Sequence, residues 1–246
     1  MDHSDKFPQQ EAPTATKPKQ GGFFSNLIFN IVLPVLIMSK LSGEDMLGPL
    51  YSIAVALAFP VGYGLWEMRQ FKKLNAFSVL GVVSVLLTGG ISLLQLDPKY
   101  IAIKEAAIPG LIGLAVIISQ KSHKSVVKLI LFNDQIFMLD RVHNSLAEHN
   151  NEAAFEQKMK VVTYLVASSF FVSSGLNYVL AKLILKSPAG TTEFAEELGR
   201  MTALSYPVIV IPSMIVLGFA MWFLFSQLKK LTHLPLDDLM VDPSQK

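Results

Sequence analysis

The chain has no cysteine among its 246 residues. Disulfides, thiolate metal sites and cysteine nucleophiles are therefore excluded. Charge is scarce: Asp, Glu, Lys and Arg make up 16% of the sequence, against about a quarter in an ordinary soluble domain. The net charge of +2 is too weak to favour nucleic acid as a partner. There are only five histidines, and none lies within a long apolar run. No carboxylate pair sits inside such a run, and no glycine-rich phosphate loop is present. With these constellations missing, the sequence reads as a non-enzyme that carries no cofactor.

Apolar residues are plentiful, at 51% of the chain, with a mean hydropathy of +0.44. That surplus calls for a solvent other than water. A bilayer-spanning helix needs about 20 mostly apolar residues, and six runs qualify: 23–41, 48–68, 75–95, 101–120, 161–184 and 203–227. The first is the weakest, with Asn26 and Asn30 inside it. The expected fold is all-α, a polytopic transmembrane bundle of six spans over residues 22–230. Residues 1–21 are polar and rich in Pro, Gln, Lys and Thr, and read as a disordered tail. No cleavable signal peptide is expected, because the apolar run starts late and no small-residue cleavage site follows it. Residues 231–246 read as a second tail.

Basic residues set the expected orientation. On one side lie Lys6, Lys17 and Lys19 of the tail, Arg69, Lys72 and Lys73, then Lys121, Lys124, Lys128, Arg141, Lys158 and Lys160, and finally Lys229, Lys230 and Lys246. The other side carries Lys40, Lys99, Lys104, Lys182, Lys186 and Arg200, fewer than half as many. The positive-inside rule then puts both termini in the cytoplasm, as an even number of spans requires. Trp66, Tyr100 and Trp222 fall near span ends, where aromatic anchors belong.

The loop at 121–160 is the only sizeable polar segment. It alternates apolar and charged residues at helical spacing, with Val126, Ile130, Phe137, Leu139, Val142 and Leu146 forming an apolar face. His143 and His149 are six residues apart and lack the HExxH pattern, so an amphipathic helix is the better reading than a metal site.

Small and polar residues mark helix contacts in lipid. Ala54, Ala58 and Gly62 form one such stripe. Gly81, Ser84, Thr88 and Ser92 form a second, and Ser169, Ser173 and Asn177 a third. They read as packing seams, with a polar path through the bundle as the alternative. Prolines interrupt the spans at Pro34, Pro60, Pro109, and Pro207 with Pro212. An interior proline frees a carbonyl and kinks the helix, as in the broken helices of transporters.

Several segments together carry a resemblance: NLIFNIVLP, LAFPVGYG, SVLLTGGISLLQLD, IKEAAIPGLIGLAVIIS, LFND and LGRMTALSYPVIVIPSM. Over roughly residues 24–240 the chain resembles a family of uncharacterised bacterial inner-membrane proteins. That family is itself similar to the intracellular septation protein A family, and some of its members carry a transporter label. The resemblance implies a multi-pass protein of the bacterial inner membrane, linked to envelope synthesis or division through contacts with other envelope membrane proteins. It implies no functional residues. The long loop between the fourth and fifth spans departs from the shorter septation proteins.

The sharpest local feature is YIAIKEAAIPG, residues 100–110, which places Lys104 and Glu105 side by side in an apolar run. Neighbours on a helix point about 100° apart, so the two are not expected to pair. Lys104 should snorkel outward towards Asp97 or the headgroups. Glu105 should face the bundle and take a donor from the same depth: Gln95, Asn177, Arg200, Ser205 or Tyr206. Arg200 is the expected partner, since its fork matches a carboxylate, with Asn177 or Tyr206 completing the set. Two functional readings follow. One is a scaffold or interaction protein of the envelope, the other a small secondary transporter or channel with a polar site near Glu105 and Asn177. A hydrated cavity inside the bundle would favour the second.

Overall fold

The computed structural model describes residues 25, 27–71, 76–120, 125–134 and 136–241. The expected tail at 1–21 lies outside the described residues. The protein is all-α, with eight helices among the described residues. They are α1 (Ile28–Lys40), α2 (Gly48–Phe71), α3 (Ala76–Leu93), α4 (Lys99–Ser119), α5 (Val126–Leu131), α6 (Leu139–Glu148), α7 (Glu152–Ile184) and α8 (Thr192–Thr232).

Four segments are long and apolar enough to cross a membrane: Gly48–Trp66, Lys99–Ser119, Glu152–Ile184 and Thr192–Thr232. The other two expected spans correspond to shorter apolar helices, Ile28–Lys40 and Val79–Leu93. The outer surface of the bundle is apolar, with Leu111, Ile118, Met214, Ile215 and Trp222 all exposed. Such a surface suits lipid contact.

Two helices start earlier than the hydropathy of the chain suggests. α7 begins at Glu152 rather than 161. Its 33 residues span about 50 Å, well beyond the roughly 30 Å of a bilayer core. α8 begins at Thr192 rather than 203. The stretch TEFAEELGRMTALS is too polar for a hydropathy window, yet it is an amphipathic helix. Its buried face is Phe194, Ala195, Leu198, Gly199 and Met201, while Glu193, Glu196 and Arg200 point out. Thr191 caps it, accepting from the Phe194 N–H at 3.2 Å. At Gly199 a Cβ would sit 3.2 Å from Met38 Cβ, so glycine is what lets α8 approach α1 this closely.

Prolines coincide with the irregular turns. Ile28–Val32 and Tyr206–Val210 are π-helical. Pro34 lies two residues past the first, Pro207 lies within the second, and Pro212 lies two residues past it. A wider turn accommodates a residue that cannot donate its N–H. Pro60 and Pro109 lie within continuous α-helix.

The long loop folds into a cap over one end of α7 and α8. Phe137, Val142 and Leu146 of the expected apolar face are buried, Val126 and Leu139 are half-buried, and Ile130 is exposed. The described part of the expected tail from 231 is docked on the cap. The Met138 N–H donates to the Leu239 carbonyl at 2.8 Å, the Val241 N–H donates to the Ile136 carbonyl at 3.0 Å, and Leu239 is fully buried. The stripe in α2 is corrected. Ala58 and Gly62 are exposed, and a Cβ on Gly62 would meet nothing within 4 Å, so that face is not a seam between helices of this chain.

Candidate functional site

Lys104 lies one turn inside α4 and is buried, with its side chain 8% exposed. Its stem bends towards α3 instead of outward. Nζ lies 2.6 Å from Thr88 Oγ1, 3.0 Å from Ser84 Oγ and 3.3 Å from the Ser84 carbonyl. Ser84 and Thr88 are four residues apart and therefore share a face of α3. The Thr88 hydroxyl donates to the Ser84 carbonyl at 3.1 Å, which leaves its oxygen free to accept from lysine. Nζ also donates to Glu105 Oε1 at 2.7 Å.

That last contact overturns two expectations. Neighbours do pair here, because a four-carbon stem can curl round to the next carboxylate. Lys104 does not snorkel, because α3 offers a ready set of oxygens, and Asp97 instead pairs with Lys99 at 3.0 Å. Removing a charge from water is costly unless it is paired and hydrogen-bonded, and Lys104 meets both conditions. Three ammonium protons face four acceptors, so its donors are fully used. Glu105 is less enclosed, at 23% exposed. Its second oxygen, Oε2, has no donor among the described residues.

The pair lines a cavity of about 330 Å³ inside the bundle, a size within the usual range for small-molecule sites. α1 contributes Asn30, Pro34 and Met38; α2 contributes Leu57, Pro60, Tyr63 and Gly64. α3 supplies Gly81, Ser84, Val85 and Thr88, and the early part of α8 supplies Leu198, Met201 and Thr202. The Tyr63 hydroxyl is buried without a hydrogen-bond partner among the described residues.

The structure brings together only Lys104 and Glu105 of the six expected site residues. Asn177 donates to the Ser173 carbonyl at 2.8 Å and to Ser173 Oγ at 3.3 Å, within its own helix. Arg200 is on the exposed face of α8 and forms no ion pair among the described residues, so Glu105 finds its cation in Lys104. Tyr206 is exposed in the π-helical turn. Gln95 is exposed with φ 53°, and its side chain packs beside Gly190. Sequence reasoning missed Tyr63 and Thr202 as cavity residues. Ser84 and Thr88 were visible as a stripe, but not as ligands of a lysine.

Of the other stripes, Ser169 donates to the Ser213 carbonyl of α8 at 3.0 Å, a packing contact. Ser174 donates to the Ala106 carbonyl of α4 at 2.7 Å. In the cap, the His149 ring lies 4.6 Å from that of His233, and His143 meets Phe132 edge-on at 6.1 Å. Comparison with protein-family models, with curated proteins and with solved structures gives no match.

Proposed function

We propose that this chain is a multi-pass membrane protein that binds a small polar solute within the bundle, as a transporter or channel does. The observation that carries this reading is the Lys104–Glu105 pair, its lysine buried and its carboxylate part-buried, on the wall of a partly open cavity between helices. An ionisable group at membrane depth marks a functional site more often than a structural one. The proline-linked π-helical turns of α1 and α8 support it, because both helices line the cavity and broken helices are where carriers build sites and hinges.

On this reading α1 and α3 complete six spans, with both termini in the cytoplasm of a bacterial cell and the protein in its inner membrane. The scaffold reading, with partners among envelope membrane proteins, rests on the septation-family resemblance alone. A dry bundle interior would support it; the cavity counts against it, although Asn177, also expected there, does not line it.

The absence of cysteine makes the test direct. Single cysteines at Thr202, facing the cavity, and at Ile118, facing outward, are exposed to a charged, water-soluble methanethiosulfonate in membrane vesicles. Thr202→Cys is expected to react several-fold faster than Ile118→Cys. Equal, lipid-like inertness at both positions overturns the cavity reading.

A further inference from the structure

Tyr63 is shared, alone among the described residues, by this cavity and a second hollow on the outer surface. This outer groove, about 450 Å³, is walled by Phe29, Phe59 and Trp66, with the small residues Ala58 and Gly62 between them. The rings run in sequence. Phe59 and Phe29 have centroids 6.4 Å apart, Phe29 and Tyr63 5.9 Å, and Tyr63 and Trp66 5.6 Å. Phe29 and Trp66 are exposed at the outer edge. An aromatic strip thus leads from the apolar surface to the wall of a polar cavity. At the join stands Tyr63, whose enclosed hydroxyl has no partner among the described residues.

We infer that groove and cavity form one site for an amphiphile, a molecule with a hydrocarbon tail and an O–H or N–H donor in its head. The inference rests on the reading of the cavity as a solute site and adds the class of solute. The head lies in the cavity, where Glu105 Oε2 has no donor among the described residues and Tyr63 forms part of the wall. An anionic head is disfavoured, because the protons of Lys104 are already engaged and an anion would have to displace Glu105. The tail lies along Phe29, Phe59 and Trp66, apolar surface that a short polar solute would leave uncovered. Entry is sideways from the bilayer between α1 and α2, past the Tyr63 ring.

Protection of Thr202→Cys in nanodisc-embedded full-length protein tests this. The probes are dodecanol, dodecylamine, dodecanoate and ethanolamine. Dodecanol or dodecylamine is expected to slow labelling several-fold, and which of them acts identifies the head as hydroxyl or ammonium. Ethanolamine and dodecanoate are expected to leave the rate unchanged. Gly62→Leu should abolish protection by filling the groove, and a side chain fits there because a Cβ meets nothing within 4 Å. Ala58→Leu repeats the test at a second position, with a melting curve to confirm folding. Protection by dodecanoate equal to that by dodecylamine overturns the inference. So does protection that survives both groove-filling variants, or a reactive Thr202→Cys that no long-chain probe protects. An unreactive Thr202→Cys removes the cavity reading and this inference with it.

Discussion

The cap and the space around Lys104 are packed differently, although α1, α2, α4, α7 and α8 also share a buried apolar cluster that includes Ile53, Ile101, Phe194 and Leu198. At the cap, α5, α6 and the segment after α8 close over α7 and α8 with a filled apolar core of Phe132, Phe137, Val142, Leu146, Phe155, Leu224, Leu228 and Leu239. Its rings pack closely, with Phe132–Phe155 centroids at 5.1 Å and Phe132–Phe137 at 5.4 Å. Two of its polar side chains are tied to carbonyls far along the chain. Ser145 donates to the Thr232 carbonyl at 2.7 Å and Asn151 to the Leu231 carbonyl at 2.8 Å. Among α1, α2, α3, α4 and α8, by contrast, a cavity with a charged pair is left open. On the membrane reading, the difference follows from solvent. A cap in water gains free energy from every apolar surface it buries. Helices in lipid gain little from burying apolar surface against each other, so nothing forces the space between them to fill.

The largest expected effect falls at the cap. Phe137 is 1% exposed, and Phe→Ala in a filled core costs about 3–5 kcal/mol. Phe137→Ala should lower stability by that order in denaturant titration of the purified protein. It should also release the segment around Leu239 to proteolysis. A loss close to zero would mean that the cap is not a water-driven core, and the contrast with the cavity would fail.

The second effect falls in the cavity. Removing one partner of a buried ion pair costs about 3–5 kcal/mol, because the other charge is stranded. Glu105 keeps some exposure, so Lys104→Ala should fall at or below the lower end of that range. The double variant Lys104→Met with Glu105→Gln should recover much of the loss, since no charge is left behind. Additive losses in the cycle would show that the two groups act independently, contrary to their 2.7 Å contact.

The apolar helices were legible in the sequence because hydropathy reports them directly. The Lys104–Glu105 position was legible as an anomaly, since charges are rare in such runs. Its partners were not. A helical wheel separates Lys104 from Glu105, and only the curl of the lysine stem towards Ser84 and Thr88 brings its ammonium back to the neighbouring carboxylate. The early part of α8 was hidden for another reason. Glu193, Glu196, Glu197 and Arg200 depress its hydropathy, although Phe194, Leu198 and Met201 keep a continuous buried face. Since Leu198, Met201 and Thr202 form one wall of the cavity, a reading that starts the sixth span at 203 misses that wall. The docking of Leu239 has no short-range signal, because its contacts are with residues about a hundred positions earlier.

The smallest effect sharpens the comparison within one helix. α4 carries two lysine–carboxylate pairs. Lys99–Asp97 lies at its start, 3.0 Å apart and about half exposed on both sides. Lys104–Glu105, one turn further in, is largely enclosed. The Lys99 backbone N–H donates to Asp97 Oδ1 at 2.8 Å. Chiefly through that bond, and then through the lysine side chain, the carboxyl is held below its ordinary value. A depressed carboxylate stabilises the fold above its unfolded pKa of about 3.9, and the contribution fades as pH falls through the folded value. Between neutral pH and about 5, Asp97→Asn should therefore melt with the wild type, because an exposed pair is screened by solvent and its amide oxygen can still accept from Lys99. Whatever small difference exists belongs to neutral pH, where only the wild type holds the carboxylate's contribution, and it should vanish on further acidification as the wild type loses it. Measured side by side at neutral pH, Asp97→Asn should be silent where Lys104→Ala is not. If the two variants lose equal stability, burial is not what separates the two pairs, and the cavity loses its special standing in the bundle.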